Sequence, residues 1–147
     1  IGVGLVGSEM CIRDRILALG TRVGSALKVA DHLLQYNLEI TVADARFAKP
    51  IDKQLVEKLW NEHQKLVIIE EGSAGGFSSH CLHFLSSKDL LNKHDKEIKC
   101  LTMPDNFQDH ASQKEQLAKA GLDADGLMKV VSKMIPLSNV KNKSITN

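Results

Sequence analysis

Apolar and polar positions along this chain alternate between two rhythms, one suited to buried strands and the other to helices. ILALG (Ile16–Gly20) reads as a short apolar strand that ends on a glycine turn. Val23, Ala26, Leu27, Ala30 and Leu34 then recur at helical spacing up to Tyr36. EITVADA (Glu39–Ala45) predicts a second strand, β-branched and apolar until Asp44 near its end. Pro50 stops any helix before Ile51, and Asp52 can cap the next one. With Asp52 as cap, Ile51 and Val56 stand where a hydrophobic staple forms, while Leu55, Leu59 and Trp60 supply the buried face.

LVIIE (Leu66–Glu70) predicts a third strand, followed by a glycine-rich loop and a helix with Phe77, Cys81, Phe84 and Leu85 on one side. EIKCLTM (Glu97–Met103) predicts a fourth strand, closed by Pro104. Ser112 and Glu115 have the spacing of a capping box before a short helix that ends at Gly121. Asp123 can cap the last helix, whose face is Leu127, Val130, Val131 and Met134. Strands alternating with helices imply βαβ crossovers. Strands that are apolar throughout imply a sheet covered on both faces. The expected fold is a three-layer α/β sandwich, a mostly parallel sheet with helices on both faces, over residues 16–136.

Two flanking stretches fall outside that pattern. IGVGLVGSEMCIRDR, residues 1–15, has no period, cap or turn logic, and GSEMCIRDR is similar to a translated sequencing-adapter string. Residues 1–15 are expected to be an artefactual or disordered leader. Residues 137–147 (LSNVKNKSITN) carry no periodicity and are expected to form a flexible tail.

Bulk composition narrows the function by exclusion. The 147 residues are enough for one domain with a real core. Nineteen basic against eighteen acidic residues give a formal charge of +1, so no bulk field draws the chain to nucleic acid or an acidic membrane. Aromatic residues at 4% also argue against a base-stacking surface. No apolar run approaches the roughly 20 residues of a membrane-spanning helix, and no signal-peptide pattern is visible. Cys11, Cys81 and Cys100 lie far apart without a CxxC pair, which points to scattered buried thiols in a reducing compartment.

Three loops hold the residues with chemical potential. In EEGSAGGFSSH (Glu70–His80) the glycine turn opens a helix, where backbone N–H groups can cradle phosphate. The pattern is neither Walker A nor GxGxxG, and Glu70 and Glu71 would repel an anion. Gly72, Gly75 and Gly76 are therefore expected to serve positive φ and close helix–strand packing. DARFAKPID (Asp44–Asp52) lies at the carboxyl end of a strand, where α/β domains bind ligands, and Arg46 could grip a phosphate. Ion pairs formed by Arg46 and Asp44 at a subunit or domain contact, with Phe47 as an apolar anchor, are the reading placed first. In PDNFQDHAS (Pro104–Ser112), Asp105, Asp109 and His110 could be metal ligands or an acid–base pair, although such loops more commonly cap helices. His80 and His83 are three apart on one helix, without a third ligand placed by sequence.

In their order and spacing, ILALGTRVGSAL, ITVADARFAKPID, IEEGSAGGFSSH and MPDNFQDHASQKEQLAKAGLDADGL resemble the C-terminal domain of 1-deoxy-D-xylulose-5-phosphate synthases, within the transketolase C-terminal domain superfamily. The resemblance spans roughly Ile16 to Pro136. It implies a thiamine-diphosphate-dependent transferase that condenses pyruvate with glyceraldehyde 3-phosphate, feeding isoprenoid (terpenoid), thiamine and pyridoxal synthesis. Thiamine diphosphate and Mg would be held by the first two domains of such an enzyme, which is a homodimer in the bacterial cytoplasm or the plastid.

The GDG metal motif and the catalytic histidines and glutamate of those domains do not occur here, so no catalytic, cofactor-binding or metal residue is carried over. The expected partners are the remaining domains of the same enzyme, with neither nucleic acid nor membrane. The chain alone is expected to be inactive and to give structural support. Its domain or subunit contacts are expected at Asp44, Arg46, Phe47, Glu71, Phe77, His80, Asp105, Phe107 and His110. Ser78 and Ala111 stand where the family usually has glycine, which should slightly restrict the backbone. The competing readings are a stand-alone small-ligand-binding or regulatory α/β module, and a piece of another transketolase-like or oxoacid dehydrogenase component.

Overall fold

The computed structural model describes residues 14–92 and 95–135. In chain order these form β1 (Asp14–Ala18), α1 (Arg22–Leu34), β2 (Thr41–Asp44), α2 (Lys53–Glu62), β3 (Lys65–Ser73), α3 (Phe77–Ser87), β4 (Glu97–Met103), α4 (Gln113–Ala120) and α5 (Ala124–Met134). The elements follow the periodicity closely, and their ends shift by a few residues. β1 begins at Asp14 instead of Ile16, because ladder bonds pair Asp14 with Lys65 and Arg15 with Leu66 whatever the side chains. Residues 1–13 of the expected leader, and the tail from 137 to 147, lie outside the described residues. A 3-10 turn at Leu90–Asn92 has no counterpart in the sequence reading.

All four strands are parallel, in the order β2-β1-β3-β4. The register aligns Ile16 with Val42 and Val67, and Leu17 with Ala43 and Ile68. Because side chains alternate across a strand, these two rows feed opposite faces. Ile16, Ala18, Val42, Val67 and Ile69 pack with Ala26, Val29 and Leu33 of α1 and Leu127, Val131 and Met134 of α5. Leu17, Ala43, Leu66 and Ile68 pack with Val56, Leu59 and Trp60 of α2 and Phe77, Cys81, Phe84 and Leu85 of α3.

Handedness explains this distribution of helices. The β1–β2 crossover runs one way across the sheet, and the β2–β3 and β3–β4 crossovers run the other way. Right-handed connections then put α1 on one face and α2 and α3 on the other.

The helix ends are fixed locally. Asp52 accepts from Leu55 N at 2.9 Å, and Asp123 accepts from Gly126 N at 2.8 Å. Ser112 and Glu115 form the reciprocal capping box, and Gly121 closes α4 at φ 72° in the left-handed region. None of the helices among the described residues is long and apolar enough to cross a membrane.

Candidate functional site

A parallel sheet gathers the loops that follow its strands at one end. The turns after β1, β2, β3 and β4 therefore share the carboxyl end of the sheet. β1 connects towards β2 and β3 connects towards β4, so the topological switch point lies between the carboxyl ends of β1 and β3. In open α/β sheets this crevice is where ligands bind.

Here the crevice is filled by the chain's own side chains. Arg22, 7% exposed, begins α1 directly after the β1 turn. Its Nε donates to Glu71 Oε1 at 3.1 Å, and its Nη1 donates to Ser25 Oγ at 3.2 Å and to the Leu122 carbonyl oxygen ahead of α5. The Thr21 hydroxyl donates to the same Glu71 oxygen. Glu71 thus belongs to an internal ion pair and keeps about a third of its side chain exposed.

The glycine loop is resolved by its neighbour Glu70, which is 3% exposed. Glu70 Oε2 accepts from Phe77 N at 3.0 Å, and Oε1 accepts from Ser78 N and from Ser78 Oγ, each at 2.8 Å. The free N–H groups and dipole that a phosphate would seek at the start of α3 are already met by a carboxylate of the protein. The glycines follow from this arrangement. A Cβ on Gly72 would stand 2.8 Å from Glu70 Oε2, and one on Gly76 would stand 2.7 Å from it. Among these three glycines only Gly75 has positive φ, at 99°. The expected need for positive φ therefore holds at Gly75 and is corrected at Gly72 and Gly76, which make room for a buried carboxylate. Ser78 supplies two of the three donors, its amide and its hydroxyl.

The outer loops leave their side chains in solvent. Asp44 Oδ1 accepts from the backbone N of Arg46 at 2.8 Å, and Arg46 has positive φ at 59°. Within the chain Asp44 thus holds the Arg46 backbone, and the Arg46 side chain is exposed. Beside it Phe47 is 67% exposed. In the loop after β4 Phe107 is fully exposed, and Asp105, Asp109 and His110 are exposed too. The PDNFQDHAS loop is tied down at its base, where Gln116 Nε2 donates to the Asp109 carbonyl at 3.2 Å. His80 is half-buried on α3.

Phe77 departs from its expected place. It is 2% exposed within the core between α3 and the sheet and offers no surface to a partner. Its amide, held by Glu70, turns the ring inward.

Burial pushes the Cys81 thiol up to about 12 and raises that of Cys100 as well, so both stay protonated at neutral pH. No cluster of three His, Cys, Asp or Glu side chains among the described residues could hold a metal ion. Glu70 and Glu71 occupy the donors that a diphosphate would need, so these residues do not fit thiamine diphosphate. The sequence reading missed Arg22, Glu70 and Ser78. Its available signal was a glutamate pair ending an apolar strand just before a glycine turn.

Fold and site together define a class: a parallel α/β domain, covered on both faces, whose ligand-binding crevice is plugged by its own side chains. Residues 15–127 match the family model for the transketolase C-terminal domain, and the chain belongs to that family. It is similar to a solved split-gene transketolase, described as an inactive beta4 tetramer, at 27% identity and a TM-score of 0.69, the match covering 82% of this chain and 38% of that one. A transketolase from Campylobacter jejuni subsp. jejuni NCTC 11168 shares the fold at 16% identity and a TM-score of 0.55, covering 86% of this chain and 18% of that one. The chain therefore spans well under two thirds of the length of either solved protein.

Proposed function

We propose that this chain is the C-terminal domain of a 1-deoxy-D-xylulose-5-phosphate synthase, and that it buttresses a thiamine diphosphate site formed by domains outside it. The specific enzyme is supported by DARFAKPID together with PDNFQDHAS and the QLAKAGLDADG stretch, in the order the resemblance requires. The buttressing role is supported above all by the switch-point crevice, where Arg22 and Glu71 bond to each other and exclude a ligand. The similar split-gene transketolase, described as inactive in its beta4 form, fits a chain of this family that lacks a complete site.

In this reading the loops bearing Asp44, Arg46, Phe47, Asp105, Phe107 and His110 contact the remaining domains or the second subunit of a homodimer, and the enzyme works in the bacterial cytoplasm. Glu71 and His80 lie at the margin of that contact.

The test is an assay of carbon dioxide release from pyruvate with glyceraldehyde 3-phosphate and thiamine diphosphate. The chain joined to the cofactor domains of a synthase should turn over, and the chain alone should not. Ketol transfer between sugar phosphates by the joined protein, without pyruvate consumption, would assign it to a transketolase instead. Turnover by the isolated chain would overturn the buttressing role.

A further inference from the structure

The end of the sheet opposite the candidate site holds a polar cluster that the proposed function does not use. α2 stops at Glu62, and His63, its C-cap residue, is 7% exposed. The last turn of a helix leaves carbonyls without partners. Lys96, in the turn before β4, donates through Nζ to the carbonyls of Trp60, Asn61 and His63, the last at 2.6 Å. On the imidazole, Nδ1 lies 3.0 Å from the Leu59 carbonyl, and Nε2 receives the Nε–H of Arg15 from β1.

These partners specify the protonation state. A carbonyl only accepts and a guanidinium only donates. The proton therefore sits on Nδ1, and Nε2 must present its lone pair. A second proton on the ring would set two donors against each other at Arg15. The surrounding charge opposes it too, because Arg15 from β1 and Lys96 from the β4 turn are cations, while Glu62 on α2 is a carboxylate that faces Arg15. Glu62 stands 3.8 Å from Arg15 with about half its side chain exposed, so solvent screens much of its attraction.

We propose that His63 is a proton-sensitive clasp that fastens the C-terminus of α2 to β1, and that its protonation releases this end of the molecule. Burial first, then Arg15, lowers the proton affinity of His63, with Lys96 adding to them against the Leu59 carbonyl and Glu62. A histidine lowered in the fold is protonated first in the unfolded chain, so stability rises with pH in that window. The clasp is fully fastened above the ordinary histidine value of about 6.5 and loosens as pH falls through it towards the folded value.

Trp60 reports the event. It is the chain's one tryptophan. Its ring is 2% exposed, its Nε1 donates to the Leu90 carbonyl at 2.9 Å, and Lys96 Nζ lies 5.5 Å from the ring centroid. Trp60 emission and the His63 ring-proton resonance are followed from about pH 8 to about pH 5. His63 should titrate below 6.5, and the emission should shift to the red with the same midpoint. His63→Gln keeps an acceptor for Arg15 but cannot gain a proton, and it should abolish that shift. Arg15→Met removes both the donor and the charge and should raise the His63 midpoint. The clasp is refuted by a His63 titration that leaves Trp60 unchanged, by the same red shift in His63→Gln, or by a midpoint unmoved in Arg15→Met. If His63→Gln does not fold, the wild-type coincidence of the two signals and the Arg15→Met midpoint still decide.

Discussion

The two ends of the β1–β3 pair each bury one arginine, and they satisfy it by opposite means. At the carboxyl end Arg22 meets the carboxylate of Glu71 and the Leu122 carbonyl. At the amino end Arg15 meets a neutral imidazole, with Glu62 only at 3.8 Å. The first arrangement balances charge with charge and shuts a crevice that open α/β sheets ordinarily leave to ligands. The second depends on a ring that must stay unprotonated. One end has become a fixed joint, and the other responds to pH.

The largest effect should come from the fixed end, at Glu70 beside the Arg22–Glu71 joint. Glu70→Ala would leave three buried donors, Phe77 N, Ser78 N and Ser78 Oγ, without their acceptor. Buried hydrogen bonds to a charged group are the costly ones to break, and a loss of about 3 kcal/mol is expected. Gly76→Ala attacks the same carboxylate by crowding, since its Cβ would stand 2.7 Å from Oε2, at a loss of about 2 kcal/mol. Urea denaturation measures both. A Glu70→Ala midpoint close to that of wild type would show that the start of α3 does not depend on its carboxylate.

Next in size is the arginine comparison itself. Arg22→Met should lower stability by about 2 kcal/mol, because the Leu122 carbonyl loses its donor while Glu71, partly exposed, turns to water. Arg15→Met should lose about 1 kcal/mol near pH 8, the usual worth of a single hydrogen bond to a neutral partner. The pH dependence separates them. Without Arg15 the histidine gains its proton more easily in the fold, so the Arg15→Met loss shrinks as pH falls through 6.5. The Arg22→Met loss should hold steady over that window. Equal pH behaviour of the two variants would erase the distinction between the ends.

Neither joint was visible in the sequence, although much else was. The four strands, the five α-helices and the caps at Asp52, Ser112, Gly121 and Asp123 were legible because their determinants lie within a turn of one another. Period and capping are local signals. Arg15 and His63 are 48 positions apart, and Arg22 and Leu122 are 100 apart. A pair at such separation leaves no periodic trace. Arg15 moreover falls in GSEMCIRDR, which carries no helical or strand period. From sequence Glu70 is a charge that repels anions, and its reach of seven and eight residues to Phe77 and Ser78 makes it the anion itself. The motif of Phe77 points to a contact surface, whereas its helical row with Cys81, Phe84 and Leu85 marks it as core.

The smallest effect on stability, and the sharpest on function, is expected at the outer loops of the carboxyl end. Phe107 is fully exposed and Phe47 is 67% exposed, so neither ring buries enough apolar surface within the chain to stabilise it. Phe107→Ser and Phe47→Ser should therefore leave the urea midpoint of the isolated chain within about 0.5 kcal/mol of wild type. In the assembly proposed above, each ring should act as an aromatic anchor whose loss weakens association by about 1 to 3 kcal/mol. Sedimentation of the chain with separately expressed cofactor domains reads that difference directly. The two measurements answer separate questions, because a ring that matters to the fold alone would move the first and spare the second. If both variants left stability and association unchanged, the contact surface would have to lie elsewhere, and the filled crevice would be left as the only mark of this domain's role at its carboxyl end.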